Sequence, residues 1–284
     1  MSAYYALYNP FSANGKGEKL ARRLSELTMD GEIRYVDMTE IGSYQDFFAS
    51  IAQDDTVIIC GGDGTLNRFV NATYDMPYPN AIAYYPCGTG NDFLRDIGQS
   101  DERKPVRITQ YLKDLPLVKV NGKTYRFLNN VGFGIDGYCC EVGDQMRAEH
   151  QENINYTAIA IKGLLGKFHP VGATVTVDGV TKTYKHCWLA PTMKGRYYGG
   201  GMMPTPDQDR NAEDGSVSVM AYHTFDKLKA LIVFPSIFQG EHVNHKHMVE
   251  IRKGHDIRVV FDCPTSLQID GETILGVTEY EVHA

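Results

Sequence analysis

The stretch Thr56-Val57-Ile58-Ile59-Cys60-Gly61-Gly62-Asp63-Gly64-Thr65-Leu66-Asn67 restricts the fold of this chain more than any other. A short β-branched run between polar residues and glycines predicts a buried strand that stops at Cys60. The glycines at 61, 62 and 64 allow a hard turn and a close approach to bare backbone, and Thr65 is placed to cap a helix carrying Leu66, Phe69 and Val70. Strand, glycine loop and helix in that order aim backbone N–H groups at a phosphate. Asp63 is the odd member, because a carboxylate repels phosphate; a magnesium ion bridging the two removes the objection. The plain alternative is a tight turn, which Asp-Gly also encodes. A second copy of the logic follows, with a strand-like Ala81-Ile82-Ala83-Tyr84-Tyr85-Pro86, then Cys87-Gly88-Thr89-Gly90-Asn91-Asp92 and a short helix from Phe93.

Around these loops the chain reads as two kinds of structure. Tyr4-Tyr5-Ala6-Leu7-Tyr8 is a first strand, followed by a polar loop from Asn9 to Gly17 and a helix carrying Leu20, Leu24 and Leu27. Ile33-Arg34-Tyr35-Val36 is a second strand, with Thr39 as cap of a helix through Phe47, Phe48 and Ile51. Strands alternating with helices over residues 1–115 predict a parallel sheet wrapped by helices, with ligands beyond the carboxyl ends of the strands. After Pro116 the pattern changes to alternation around Asn121-Gly122 and Asp178-Gly179, the signature of hairpins. Residues 116–284 therefore read as an antiparallel β-rich domain with helices near 136–147, 155–167 and 225–238, and the active site is expected in the cleft between the two domains.

Composition narrows the function. The net charge of −7 opposes broad adhesion to nucleic acid or an anionic bilayer, so any membrane contact must be local. Lys162, Lys167 and His169 beside Leu164, Leu165 and Phe168 form one small amphipathic candidate. Six scattered cysteines without Cys-x-x-Cys spacing imply neither a zinc site nor a disulfide framework. With no basic leader after Met1 and no apolar run near ~20 residues, the expected location is the cytoplasm, peripheral at the inner face of the membrane. His242, His245 and His247 lack a helical i, i+4 pair and read as ordinary polar positions.

Gly61-Gly62-Asp63-Gly64-Thr65-Leu66-Asn67 followed by Pro86-x-Gly88-Thr89-x-Asn91-Asp92-Phe93 resembles the diacylglycerol kinase catalytic family, in particular its soluble bacterial lipid kinases. The resemblance continues through Asn9-Pro10, Gly199-Gly200-Gly201, Asp214-Gly215 and Asp270-Gly271-Glu272, and it is the order and spacing of these motifs that make it specific. It implies that ATP meets Asn9, Pro10 and Ser12 of a first loop, Thr39 of a second, Gly61, Gly62, Asp63, Gly64 and Thr65 of a third, and Gly88 and Thr89 of a fourth. Arg95 reads either as a counter-charge to phosphate or as a surface arginine. The Asp-Gly-Glu motif implies the proton acceptor; both Asp270 and Glu272 are candidates, with Glu272 preferred and Asp270 as its orienting partner or a metal ligand. A structural Mg2+ is implied at the Asp214 side chain with the backbone carbonyls of Asn211 and Ser216, oxygen donors that suit this hard cation.

The activity implied is an ATP- and Mg2+-dependent transfer of the γ-phosphoryl group to a lipid hydroxyl, with diacylglycerol as default acceptor and phosphatidylglycerol or sphingoid alcohols as alternatives. The partners are ATP, a membrane lipid met peripherally and, as an option, a second copy of the chain, with no nucleic acid. Two rivals stand beside it: a kinase of a soluble acceptor such as NAD, and a non-catalytic nucleotide-binding regulatory protein. Arg68, where many members carry an acid, the longer first loop Ser12-Ala13-Asn14-Gly15, and a chain that stops soon after the Asp-Gly-Glu hairpin are departures that touch nucleotide geometry and domain closure.

Overall fold

The computed structural model describes residues 2–87, 91–99, 104–149, 151 and 154–284. They fall into two compact units, Met1–Asp114 and Leu115–Ala284. In the first, β1 (Tyr4–Tyr8), β2 (Ile33–Asp37), β3 (Thr56–Gly61), β4 (Ala81–Pro86) and β5 (Val106–Arg107) form one sheet in the order β2-β1-β3-β4-β5. The first four are parallel and only the short β5 runs against its neighbour. Val57, Ile58, Ile59 and Cys60 are fully buried, as a central parallel strand covered on both faces requires.

Two expected helix starts are corrected. The helix Asp63–Ala72 has Gly62 at its N-cap, so Thr65 lies inside the first turn and caps nothing. Asp37, not Thr39, caps the short 3-10 turn Met38–Glu40, and the next helix, Tyr44–Ser50, takes its cap from Ser43, whose hydroxyl accepts the Asp46 N–H at 3.2 Å. The leucine-bearing helix is also shorter than its periodicity predicts. It runs as Gly17–Ala21, tightens to a 3-10 turn at Arg22–Glu26, and only Leu24 of its three leucines is fully buried.

In the second unit β6 (Leu117–Val120), β7 (Lys123–Arg126), β8 (Asn130–Gly134), β9 (Val171–Val177), β10 (Val180–Met193), β11 (Val217–His223), β12 (Val249–Gly254), β13 (Asp256–Ile269) and β14 (Glu272–His283) make an antiparallel, sandwich-like sheet. Its two longest strands do the folding over. β10 pairs with β9 in its first half and with β8 and β11 in its second, with a shift of register between Cys187 and Leu189. β13 likewise pairs with β9, then with β8, across irregularities between Val260 and Leu267. The inward faces enclose an apolar core that includes Phe133, Phe261 and Tyr280, with the Phe133 and Phe261 rings 4.6 Å apart.

The hairpins fall where Asn-Gly and Asp-Gly place them. Asn121-Gly122, Asp178-Gly179 and Asp270-Gly271 all have positive φ at both residues, the conformation that two-residue turns between twisted strands need. The helices Ile135–Ala148, Tyr156–Lys162 and Lys227–Val233 lie on the outer face around a second apolar cluster containing Trp188, Leu189 and Phe234. Leu164 and Phe168 belong to that cluster, so of the apolar side chains in the expected amphipathic segment only Leu165 faces solvent.

Candidate active site

In the first unit, register brings the expected nucleotide loops to one edge. Tyr8 pairs with Cys60 and with Asp37, and Gly61 with Pro86, so the segments after β1, β2, β3 and β4 all leave the carboxyl end of the sheet at the same level. The β1 loop is tightened by Asn9, which is buried; its carbonyl accepts the Ser12 hydroxyl at 2.8 Å and its side-chain oxygen accepts the Phe11 N–H at 3.0 Å. Pro10 sits half-buried between them. Thr39 is exposed and donates both its N–H and its hydroxyl to Asp37 Oδ1, at 2.8 and 2.7 Å.

Gly61 is required by a close approach. A Cβ there would lie 2.4 Å from Cβ of Thr65, whose buried side chain rests on the bare α-carbon and closes the turn into the helix. Gly62 and Gly64 are half-buried beside it. Asp63 does something its sequence context does not reveal. Its Oδ2 accepts the Asp92 N–H at 2.7 Å and its Oδ1 the Phe93 N–H at 3.3 Å, so the carboxylate holds the first turn of the helix Asp92–Asp96. The two glycine-rich loops are thereby tied through one side chain. Gly88 and Thr89, expected in the fourth loop, lie outside the described residues. Arg68 and Arg95 are both exposed.

In the second unit the Asp-Gly-Glu motif forms the β13–β14 turn, and its two carboxylates have different environments. Asp270 is buried and points at the backbone of residues 128–130: its Oδ2 accepts the Leu128 N–H at 2.6 Å, and its Oδ1 accepts those of Asn129 and Asn130 at 2.8 and 2.9 Å. Arg210, also buried, takes the other side of the same segment, donating to the Leu128 carbonyl at 2.6 Å and to Asn129 Oδ1 at 2.7 Å. Glu272 begins β14 and is exposed.

A third carboxylate joins this site that motif spacing did not single out. Asp136 stands in the first turn of Ile135–Ala148, buried, with Oδ1 accepting the Gly137 N–H at 2.8 Å. Its Oδ2 receives Gln268 Nε2 at 3.2 Å and the Tyr198 hydroxyl at 3.5 Å, and burial pushes its carboxyl up from 3.8 to about 7. Gln268 in turn accepts the Gly271 N–H at 2.9 Å, inside the Asp-Gly-Glu turn. Tyr198 opens the triple-glycine turn, in which Gly199, Gly200 and Gly201 all have positive φ and Tyr198 and Met202 exchange backbone hydrogen bonds. Asp136 thus connects two motifs 70 residues apart in sequence; an acid two residues after Gly134, at a helix start, was the only local signal.

At the expected magnesium site Asp214 is exposed. Its Oδ1 accepts the Ser216 hydroxyl at 2.6 Å and N–H at 3.1 Å, bonds that hold its carboxyl below the usual range. The Ser216 carbonyl accepts Gln208 Nε2 at 3.0 Å, and the Asn211 N–H is bound to Asp209 Oδ1. The donor set is oxygen throughout and fits Mg2+ in kind, but it offers one carboxylate, with the Lys253 ammonium 3.9 Å away. Among the described residues no three His, Cys, Asp or Glu side chains gather as a metal cluster, and His242 is buried with Nε2 against the Pro204 carbonyl at 2.8 Å.

Comparison with known proteins agrees with this architecture. Residues 3–118 match the family model described as the diacylglycerol kinase catalytic domain, and residues 129–281 match that of the YegS C-terminal NAD kinase beta sandwich-like domain. A diacylglycerol kinase of Mycobacterium tuberculosis is 27% identical over 283 residues, covering 94% of this chain and 87% of its own. A diacylglycerol kinase of Bacillus subtilis is 25% identical over 79% of this chain and 73% of its own. The crystal structure of a diacylglycerol kinase from Bacillus anthracis shares the fold with a TM-score of 0.64, at 20% identity over 99% of this chain and 94% of that one. Both family models matching in order over nearly the whole length, the chain belongs to the diacylglycerol kinase catalytic-domain family and is a lipid kinase, an enzyme whose phosphoryl acceptor is an alcohol.

Proposed function

We propose that the chain transfers the γ-phosphoryl group of ATP to the free hydroxyl of diacylglycerol, giving phosphatidic acid, at a membrane surface. The observation that carries this reading is the common level at which the segments after β1, β2, β3 and β4 leave the parallel sheet, with Asp63 binding the third loop to the helix Asp92–Asp96. ATP phosphates meet the backbone of the turn at residues 61–64, which Thr65 closes with its N–H on the Gly62 carbonyl at 3.0 Å, and the loop containing Gly88 and Thr89, while Asn9, Pro10, Ser12 and Thr39 shape the rest of the nucleotide site. Glu272 takes the proton of the acceptor hydroxyl. Asp270, committed to three backbone N–H groups, orients the turn that carries Glu272. Asp214, with the carbonyls of Asn211 and Ser216, would hold a Mg2+ ion, which supplies positive charge without proton chemistry.

The test is transfer of label from γ-labelled ATP to diacylglycerol, phosphatidylglycerol and sphingosine in mixed micelles, with Mg2+ and with chelator, for the native protein and Glu272→Gln. Label in diacylglycerol, lost with chelator and reduced about 10²–10⁴-fold in the variant at unchanged stability, is expected. Label in NAD without lipid, or saturable ATP binding with no labelled lipid, overturns the reading.

A further inference from the structure

Large apolar side chains are exposed in one region of the second unit, on two short helical segments that touch. Phe225 (83% exposed), Leu228 (67%) and Ile232 (69%) lie at and just before the helix Lys227–Val233, with Leu228 and Ile232 one turn apart on the same face. Ile161 and Leu165 (59%) are likewise four residues apart, at the end of Tyr156–Lys162 and in the wide turn Gly163–Lys167 that packs against that helix. The two segments pack side by side over a buried apolar cluster. The Phe168 and Trp188 rings are 6.1 Å apart within it, and the Trp188 indole N–H donates to the Thr224 carbonyl at 2.8 Å, immediately before Phe225. Ala230 and Val233, on the opposite side of the helix, are in the core. The apolar face is therefore turned outward by an amphipathic element whose inner side is already satisfied.

Its charge is opposite to that of the chain. Residues 154–169 and 224–239 contain Lys162, Lys167, Lys227 and Lys229 and a single acid, Asp226, which pairs with Lys229 at 3.6 Å, in a protein of net charge −7. Lys185 and His186 are exposed on the neighbouring strand, where the His186 carbonyl accepts the Thr224 N–H at 3.1 Å. Apolar side chains among lysines match the two layers of an anionic leaflet, with acyl chains for the former and headgroups for the latter. A second copy of the chain fits less well, since five side chains fall far short of the roughly 20–30 residues per side of a stable interface, and two like-charged faces would meet.

We propose that Phe225, Leu228 and Ile232, with Ile161 and Leu165, insert into the surface of an anionic bilayer and that Lys162, Lys227 and Lys229 hold its headgroups. This surface names the membrane contact of the lipid-kinase reading and rests on that reading for its purpose. The experiment measures co-sedimentation with vesicles of phosphatidylcholine and of a phosphatidylcholine–phosphatidylglycerol mixture, without ATP, for the native protein, Phe225→Ser/Leu228→Ser/Ile232→Ser and Lys227→Glu/Lys229→Glu. The triple serine variant is expected to lose at least about tenfold in binding to mixed vesicles. Its melting temperature and its phosphorylation of a short-chain, monomeric diacylglycerol should be unchanged. The lysine variant should lose binding to mixed vesicles only, as the native protein does at high salt.

Native protein that stays in the supernatant, or a triple variant that sediments like it, overturns the surface. So does a native dimer that the serine substitutions turn into a monomer. Loss of vesicle binding in a protein that phosphorylates no lipid upholds the surface and overturns the function, so the two failures are told apart.

Discussion

Each unit ties a loop down with one aspartate, and the two do it differently. In the first, Asp63 is half-buried and spans from one glycine-rich loop to the backbone N–H groups of Asp92 and Phe93. In the second, Asp270 is buried and gathers three consecutive N–H groups of residues 128–130, while Arg210 takes the carbonyl side of the same segment. Both aspartates stand in motifs whose sequence suggests chemistry, and both accept hydrogen bonds from backbone N–H groups. The lesson is that an acid in a glycine-rich motif can be there to shape a loop. Burial decides how much each anchor is worth, because a donor that loses its partner at a wet loop finds water and a buried one does not.

The sharpest break comes from Asp270→Ala. Three N–H groups lose their common acceptor inside the domain, at about 1–3 kcal/mol each, so a loss of about 5 kcal/mol is expected. Urea denaturation followed by tryptophan fluorescence reads it, since Trp188 is buried in the same unit. A loss below about 1 kcal/mol would mean that Arg210 and the strands hold the segment unaided.

Asp136 extends the comparison to a buried carboxylate with fewer donors. It receives one N–H and two longer side-chain contacts, and burial raises it to about 7. The folded chain then keeps a proton that the unfolded chain releases near 3.8, so this group's contribution is full below pH 4 and is lost as pH rises to about 7. The gap amounts to on the order of 4 kcal/mol. Denaturation midpoints of the native protein and Asp136→Asn between pH 4 and 8 should therefore move apart across that window, the native protein losing ground as pH rises. Parallel curves would show that the carboxyl ionises normally despite its burial.

These anchors also mark where the sequence stopped being readable. The parallel sheet was legible because β-branched runs such as Val57-Ile58-Ile59 alternate with helical spacing, and the hairpins because Asn-Gly and Asp-Gly force positive φ. Helix starts were less so. Thr65 and Thr39 have capping chemistry, but Thr65 is used for packing on Gly61, and Asp37 and Ser43 take the caps near Thr39. The partners of Asp270 lie 140 residues or more away, and Arg210 and Asp136 carry no periodic or motif signal, so only the folded chain brings them together. The same holds for the apolar surface, where the segment carrying Leu165 and the helix carrying Leu228 and Ile232 come together only because they pack side by side in the fold.

The smallest effect is expected where the anchor is wettest. Asp63→Asn keeps one acceptor oxygen and loses the charge that favours a helix N-terminus, for which a stability loss of about 1 kcal/mol is expected. Its larger consequence is positional. With the helix Asp92–Asp96 less firmly held, the third loop and that helix lose their fixed relation, which on the proposed reading loosens the phosphate site. The KM for ATP should then rise several-fold while that for a short-chain diacylglycerol stays within twofold, about 1 kcal/mol of ATP binding. If Asp63 instead binds a metal ion at the phosphates, the KM for ATP will return toward the native value as Mg2+ is raised. An ATP KM that stays high at saturating Mg2+ identifies the carboxylate as an anchor, the first unit's wetter counterpart of Asp270.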